Sequence, residues 1–455
     1  VQTLPSDSGS GLVLAPFRGL RYARDRVSGI ANVTSPPYDV ITGDILDHLR
    51  AADPHNVVRL ILPGEDATAT KVAASLLREW LSAGILIRDR IPALYLYEQS
   101  LDGPGLDGPG LDGLGLGASR WVQRGIVALV GLGSPESAGI LPHEGVMPGP
   151  VAGRRELMEA TQANLEPILL IYDGDEAAGD DRDRPTAAEI IERVVAERAP
   201  LVAVTTEDHV THRLWRLGDY DEQTAIAADL AGRRALIADG HHRYAAYLDL
   251  QSKMRASGLG AGPWDYGLAF LVDSAAYPPQ LGAIHRVLPG MPPERAAELA
   301  RNAFSVQDLP AGLDLAGAQR RLAEAGREGT AFLLAGGPCF RLLSHPDPVQ
   351  VAASMPAGAS GPWRSLDASV LQQLLIGHLW GITENERNVL IDHDAADAVR
   401  VVTEGPGGTA VISNPLSFQT VIQIAAHGER VPRKSTSFGP KPRTGLVLRT
   451  FGPND

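Results

Sequence analysis

Ile237-Ala238-Asp239-Gly240-His241-His242-Arg243-Tyr244-Ala245-Ala246 decides how this chain is read. An apolar run beginning at Arg234 stops at Asp-Gly, two histidines and an arginine follow, and a stretch with helical spacing continues to Met254. The pattern predicts a strand, a tight turn and a helix. A helix start points free N–H groups outward and carries partial positive charge. Glycine lets an anion approach the backbone closely, and His and Arg are charge-assisted donors. Asp239, Gly240, His241, His242 and Arg243 are therefore expected to bind phosphate. The plainer alternative is a helix cap, with Asp239 as N-cap and a solvated basic first turn. It must accept cations where the macrodipole opposes them.

Outward from this turn, strand-like and helix-like runs alternate. Strands are predicted at Ala93–Ser100, Trp121–Gly131, Pro167–Tyr172, Leu201–Thr206, His212–Leu217, Leu268–Val272, Thr330–Ala335, Phe340–Ser344, Arg400–Val402, Thr409–Ser413 and Leu446–Arg449. Helices are predicted at Asp44–Ala52, Ala67–Ala83, Glu156–Asn164, Thr186–Arg198 and Asp221–Leu230. Such alternation suggests α/β or α+β. A five-residue repeat, Gly-Leu-Asp-Gly-Pro, fills 101–113 and can hold neither a helix nor a central strand. It reads as an expanded hairpin loop, a mobile insertion over 101–117. Asp173–Pro185 is acidic without apolar anchors and reads as a solvated loop. Residues 1–11 are polar, read as a flexible tail, and lack the basic and apolar regions of a signal peptide. A chain of 455 residues suggests about three domains or two large ones. The division expected here is a core over 12–290 and a C-terminal α/β domain over 291–455.

Composition narrows the function. With 41 basic and 54 acidic residues the net charge is −13, which disfavours nucleic acid as a partner, since affinity for phosphate backbones needs clustered Lys and Arg. No apolar run is long enough to span a membrane. One cysteine, Cys339, excludes an internal disulfide and a cysteine zinc site, and fits a cytoplasmic setting. Only four lysines occur, Lys71, Lys253, Lys434 and Lys441, against 37 arginines. Where lysine persists in so biased a chain, a specific need is more plausible.

Four further constellations carry chemistry. Pro36-Pro37-Tyr38-Asp39-Val40-Ile41 holds Asp39 on a rigid turn after Arg18, Arg21, Arg24 and Arg26. That carboxylate suits Mg²⁺ or a substrate hydroxyl proton, or merely caps the turn. Leu141-Pro142-His143-Glu144-Gly145 sets an imidazole beside a carboxylate, with Arg154, Arg155 and Asn164 soon after. His285-Arg286 interrupts an apolar run. Lys434-Ser435-Thr436-Ser437-Phe438-Gly439-Pro440-Lys441-Pro442 offers two point charges for phosphate, but without upstream glycines it is no Walker motif. His143, Glu144, His241 and His242 are alternatively of metal-binding type. His393-Asp394 reads as a helix start.

These segments, in this order and together with Ala15-Pro16-Phe17-Arg18-Gly19-Leu20-Arg21-Tyr22, resemble the bacterial and archaeal DUF1015 family over about residues 12–450. The resemblance implies an α+β fold: a ParB/sulfiredoxin-like nucleotide-binding core with large insertions and an additional C-terminal α/β region contributing the 434–442 loop. Members of that superfamily hold nucleotide phosphates in a Gly-x-x-Arg loop at a helix start, and Gly240-His241-His242-Arg243 is similar to it. The superfamily includes an archaeal kinase acting on free serine. The resemblance thus implies a phosphotransferase using Mg²⁺ with ATP or ADP and a small hydroxy amino acid such as serine. Asp39 or Glu144 would be the base, with His143 beside them. The nucleotide would be held by Asp239–Arg243 with Lys434, Ser435, Thr436 and Lys441. Arg18, Tyr38, Arg154, Asn164, His285 and Arg286 would face the substrate. A homo-oligomer is compatible with this reading. Two departures stand out: Gly145-Val146-Met147 where the family has a threonine, and Ser437 where an aromatic is usual. The alternatives are a hydrolase or lyase of a phosphorylated metabolite, and a non-catalytic nucleotide sensor.

Overall fold

The computed structural model describes residues 11–64, 66, 68–101, 121–133, 139–174, 185–385, 387–405 and 407–452. The expected tail up to residue 10, the repeat after Leu101 and most of the acidic 173–185 stretch lie outside the described residues. The chain is mixed α/β and forms two compact units. Of the described residues, one unit holds 11–101, 121–279 and 440–452, and the other holds 280–439. This division differs from 12–290 and 291–455, because the chain returns to the first unit after Gly439.

In chain order the first unit contains β1 (Leu14–Ala15), α1 (Gly43–Ala52), α2 (Ala69–Ser82), β2 (Leu94–Leu101), β3 (Trp121–Gly131), β4 (Ile140–Leu141), α3 (Pro148–Thr161), β5 (Ala163–Asn164) and β6 (Ile168–Tyr172). It continues with α4 (Ala187–Glu197), β7 (Val202–Thr205), β8 (Val210–Leu217), α5 (Tyr220–Leu230), β9 (Ala235–Asp239), α6 (His241–Ala256) and β10 (Tyr266–Asp273). Among the described residues these build a nine-stranded sheet in the order β4-β9-β6-β10-β3-β2-β8-β7, with β1 beside β3. β9 runs parallel to β4 and β6 parallel to β10, while the other pairs are antiparallel. Every residue of β6 and β9 is buried, as apolar runs without alternation require when both sheet faces are covered. Leu94, Leu96, Ile126, Ala128, Ile168 and Leu170 pack with Ile190, Ile191 and Val194 of α4, Ile226 of α5 and Tyr244 and Tyr247 of α6. A Thr186/Glu189 capping box starts α4.

The 440–452 segment is stitched into this unit. Thr444 bridges to Ser35, Leu448 to Leu20, and strand Arg449–Thr450 pairs with β5. Buried Arg449 donates to Asn164 Oδ1 at 2.8 Å and to the carbonyls of Tyr266 and Pro263 at 2.6 Å.

The second unit contains β11 (His285–Leu288), α7 (Pro293–Ala300), β12 (Ser305–Asp308), α8 (Leu315–Glu328), β13 (Ala331–Ala335), β14 (Arg341–Ser344), β15 (Leu390–Asp392), α9 (Ala395–Glu404) and β16 (Thr409–Ser413). Its antiparallel sheet has the order β12-β14-β13-β16-β11-β15. One face packs Phe332, Leu334 and Val411 with Ala296, Leu374 and Trp380; the other packs Leu333 and Ile412 with Leu322 and Ala398.

Three expectations change. The helix placed at Glu156–Asn164 begins at Pro148 and ends at Thr161, with Ala163–Asn164 a strand. Proline is accommodated in a first helical turn, where its missing N–H is no loss. Arg400–Val402 is not a strand but lies in α9; the buried positions Ala395, Ala398 and Val402 have helical spacing that overrides the β-branched pair. At Leu446–Arg449 only Arg449–Thr450 is strand.

Candidate functional site

The turn after β9 is built by one glycine. Gly240 has φ +94°, and a Cβ there would stand 2.8 Å from Ile168 Cγ2 and 3.1 Å from Arg243 Nε. Only glycine meets both demands. The sixteen-residue α6 starts directly after it with no side-chain cap.

The charges around this helix start are organised rather than merely present. Arg243 is 2% exposed; it ion-pairs with Asp239 and donates to the Pro167 carbonyl at 2.6 Å. Lys441 Nζ lies 2.7 Å from Asp239 Oδ1 and 2.6 Å from Asp39 Oδ2, so one ammonium holds two carboxylates. Burial would raise the Asp239 pKa, but Lys441 and Arg243 together more than offset this and hold it below the ordinary value. For Lys441 burial opposes the charge, and Asp239 and Asp39 outweigh it, raising its pKa.

The Asp39 turn is held by a second cluster. Glu166, in the link between β5 and β6, accepts from the Tyr38 N–H at 3.0 Å and the Thr444 hydroxyl at 3.4 Å. Arg154 stands 3.9 Å from its other oxygen and covers the Tyr38 ring at 4.2 Å, with Arg243 at 5.8 Å from the same ring. Burial raises the Glu166 pKa, against the pull of Arg243 and Arg154. Burial likewise raises that of Tyr38. Asp39, Asp239 and Glu166 thus stand against Lys441, Arg243 and Arg154, three charges of each sign.

The histidines serve the neighbouring loop. His143 is fully buried, edge-on to His241 with ring centroids 4.6 Å apart, and its N–H donates to His241 Nε2 at 3.4 Å. The Met147 N–H donates to His242 Nε2 at 3.1 Å. Both Nε2 atoms are acceptors here, so these imidazoles fasten the 143–147 loop. Burial first, then His241, pushes the His143 pKa well below its ordinary value. Glu144 is half-buried in that loop. Among the described residues no group of three or more His, Cys, Asp or Glu side chains is placed to hold a metal.

The remaining candidates divide between the units. Arg18 donates to the Asp89 carbonyl at 3.0 Å, and Arg154 to that of Ile61 at 2.8 Å. Asn164 is buried against Arg449. Lys434, Ser435, Thr436, His285 and Arg286 belong to the second unit. There Arg286 donates to the Lys434 carbonyl at 2.9 Å, Ser435 to that of Pro432, and His285 Nδ1 accepts the Ser413 N–H at 3.3 Å. Lys434 is exposed, with φ +56°. Glu166 escaped the sequence reading. Its signal was a lone carboxylate beside the apolar run Pro167-Ile168-Leu169-Leu170-Ile171.

A family model described as "Protein of unknown function (DUF1015)" matches residues 14–369. No curated protein matches the sequence. Among solved structures, the chain is similar to a free serine kinase in complex with AMP, with 15% identity, TM-score 0.32, and coverage of 68% of this chain and 89% of that one. SbnI with a C-terminal truncation, from Staphylococcus aureus, matches with 12% identity, TM-score 0.34 and coverage of 70% and 85%. A conserved hypothetical protein from Pyrococcus furiosus matches with 12% identity, TM-score 0.32 and coverage of 68% and 90%. No helix among the described residues is long and apolar enough to cross a membrane.

Proposed function

The chain belongs to the DUF1015 family, and from that premise we propose that it transfers a phosphoryl group from ATP or ADP to the hydroxyl of a small amino acid such as serine. The observation that carries this reading is the meeting of Asp39, Asp239 and Lys441 beside Gly240, at the N-terminus of α6. Phosphoryl transfer needs positioning and charge stabilisation more than covalent chemistry. First-turn N–H groups of α6 receive phosphate oxygens, and Lys441 is the cation beside them. Asp39, 37% exposed against 6% for Asp239, is the carboxylate that a substrate hydroxyl can reach. It is the base in this reading.

Mg²⁺ fits the donor set in a limited way. It binds through one or two carboxylates plus substrate phosphates, and Asp39 and Asp239 are such carboxylates. The local charges already balance, so an anionic nucleotide is best received with its own cation. When bound, Mg²⁺ would neutralise phosphate charge. Asp239 would hold it on the protein side, which leaves Asp39 to take the hydroxyl proton. Lys441 and Arg243 keep Asp239 ionised, and the half-buried Arg154–Tyr38 stack keeps the Asp39 turn in place.

Phosphorus NMR of the purified protein with Mg²⁺, offered ATP, ADP or CTP with and without serine, threonine and homoserine, tests the proposal. The expected result is a phosphomonoester resonance that depends on the amino acid. Unchanged nucleotides would end the phosphotransfer reading for these substrates. Asp39→Asn is expected to lower turnover about 10²–10⁴-fold, as loss of a general base does, with Glu144→Gln near wild type. The reverse order would move the base to Glu144.

A further inference from the structure

Glu166 joins parts of the first unit that are far apart in sequence. Its Oε1 takes the Tyr38 N–H from 128 residues upstream and the Thr444 hydroxyl from 278 residues downstream. Tyr38 immediately precedes Asp39, and Thr444 lies three residues beyond Lys441. Arg154 comes to the carboxylate from α3 while covering the ring of the same Tyr38. The link that carries Glu166 also receives Arg243 on the Pro167 carbonyl and Tyr247 on the Glu166 carbonyl. A cavity of about 20 Å³ adjoins it, walled by Arg154, Glu166, Arg243, Leu157, Met158 and Leu165 among others. Glu166 is 5% exposed. A carboxylate so buried is costly unless its partners are held in place. Here those partners are the two segments that bring Asp39 and Lys441 together.

We propose that Glu166 is the positioning residue of the Asp39–Lys441–Asp239 cluster: by accepting from the Tyr38 N–H and the Thr444 hydroxyl it sets the 38–40 turn and the 441–444 segment at the separation where one ammonium reaches both carboxylates. Glu166 touches no reacting atom; it acts through the backbone at Tyr38 and the side chain of Thr444. Its place in a reaction rests on the phosphotransfer reading. The geometry it imposes does not.

Lysine chemistry provides the test, because only four lysines occur and mass spectrometry separates them. Competitive acetylation of the full chain reads the protection of Lys441, with Lys71 and Lys253 as internal references. Lys253 is paired with Glu159 at 2.8 Å and reports the fold near α3 and α6. Glu166→Leu removes the acceptor while suiting a wall of Leu157, Met158 and Leu165. It is expected to raise the Lys441 rate at least fivefold with both references within twofold. Glu166→Gln keeps an acceptor for Tyr38 and is expected to stay within twofold of wild type. An unchanged Lys441 rate in Glu166→Leu, with steady references, overturns the proposal. Should that variant not fold, amide exchange of the wild-type protein decides: the Tyr38 amide is expected to be at least a hundredfold protected, and an unprotected amide overturns the proposal. If the wild type transfers phosphate, Glu166→Leu is expected to lower kcat at least tenfold with KM for nucleotide within threefold. An inactive wild type ends the phosphotransfer reading and leaves the acetylation result to judge Glu166.

Discussion

Asp39 and Lys441 stand 402 positions apart in the chain and meet at 2.6 Å. The same ammonium reaches Asp239 at 2.7 Å, so removing it leaves two carboxylates facing each other, one of them buried. Lys441→Met is expected to destabilise the first unit by about 1–3 kcal/mol at pH 7, below the full cost of a deep pair because Lys441 is 25% exposed. The sign with pH follows from Asp239, whose pKa is depressed in the folded state. Its stabilisation is present above the unfolded value, near 4, and is lost as pH falls through the lower folded value. Urea unfolding of both proteins at pH 7 and pH 3 measures this. The gap between them should narrow in acid, and an equal gap would contradict the pairing.

Gly240→Ala carries both a positive φ and a Cβ 2.8 Å from Ile168 Cγ2. A cost of about 1–3 kcal/mol is expected. Gly145→Ala is the control, since nothing lies within 4 Å of its Cβ. Equal urea midpoints for the two variants would mean that the turn tolerates a side chain.

His212 supplies a pH prediction away from the site. It is buried between the Tyr97 hydroxyl, 2.8 Å from Nδ1, and the Thr206 hydroxyl, 3.2 Å from Nε2. Burial first, then Arg443, pushes its pKa down to about 3. The unfolded chain takes up this proton near pH 6.5 and the native protein does not. Stability is therefore lost as pH falls from about 6.5 towards 3, by about 2 kcal/mol between pH 7 and pH 5 from this group alone. His212→Gln should remove that share of the slope. An unchanged slope in urea titrations at the two pH values would place the protonation elsewhere.

How much of this was legible in the sequence depends on how local the cause is. The strand–glycine–helix turn at 235–243 could be read because its chemistry lies within a few adjacent residues. β3 keeps the bounds expected from its apolar run, Trp121–Gly131. Val401-Val402 misled because β-branching is a weaker determinant than the buried face of α9. The anion-site reading treated Arg243 and the two histidines as outward donors, whereas their partners are Asp239, the Pro167 carbonyl and the 143–147 backbone. Local sequence cannot show which way a side chain turns once tertiary partners compete for it. Glu166 and the Asp39–Lys441 pair depend on contacts across hundreds of positions, and no spacing rule reaches that far.

The stitching of 440–452 into the first unit has a consequence for the order of events during synthesis. The sheet from β1 to β10 has left the ribosome long before Thr444 can meet Ser35 or Arg449 can reach Asn164. Domains generally fold as units as they emerge, but this one lacks its 440–452 segment while about 160 residues of the second unit are made. Until then Asp39 and Asp239 have no Lys441 between them. A nascent chain therefore carries the two carboxylates unbridged, and the ammonium arrives only after residue 441 has been made and has left the ribosome.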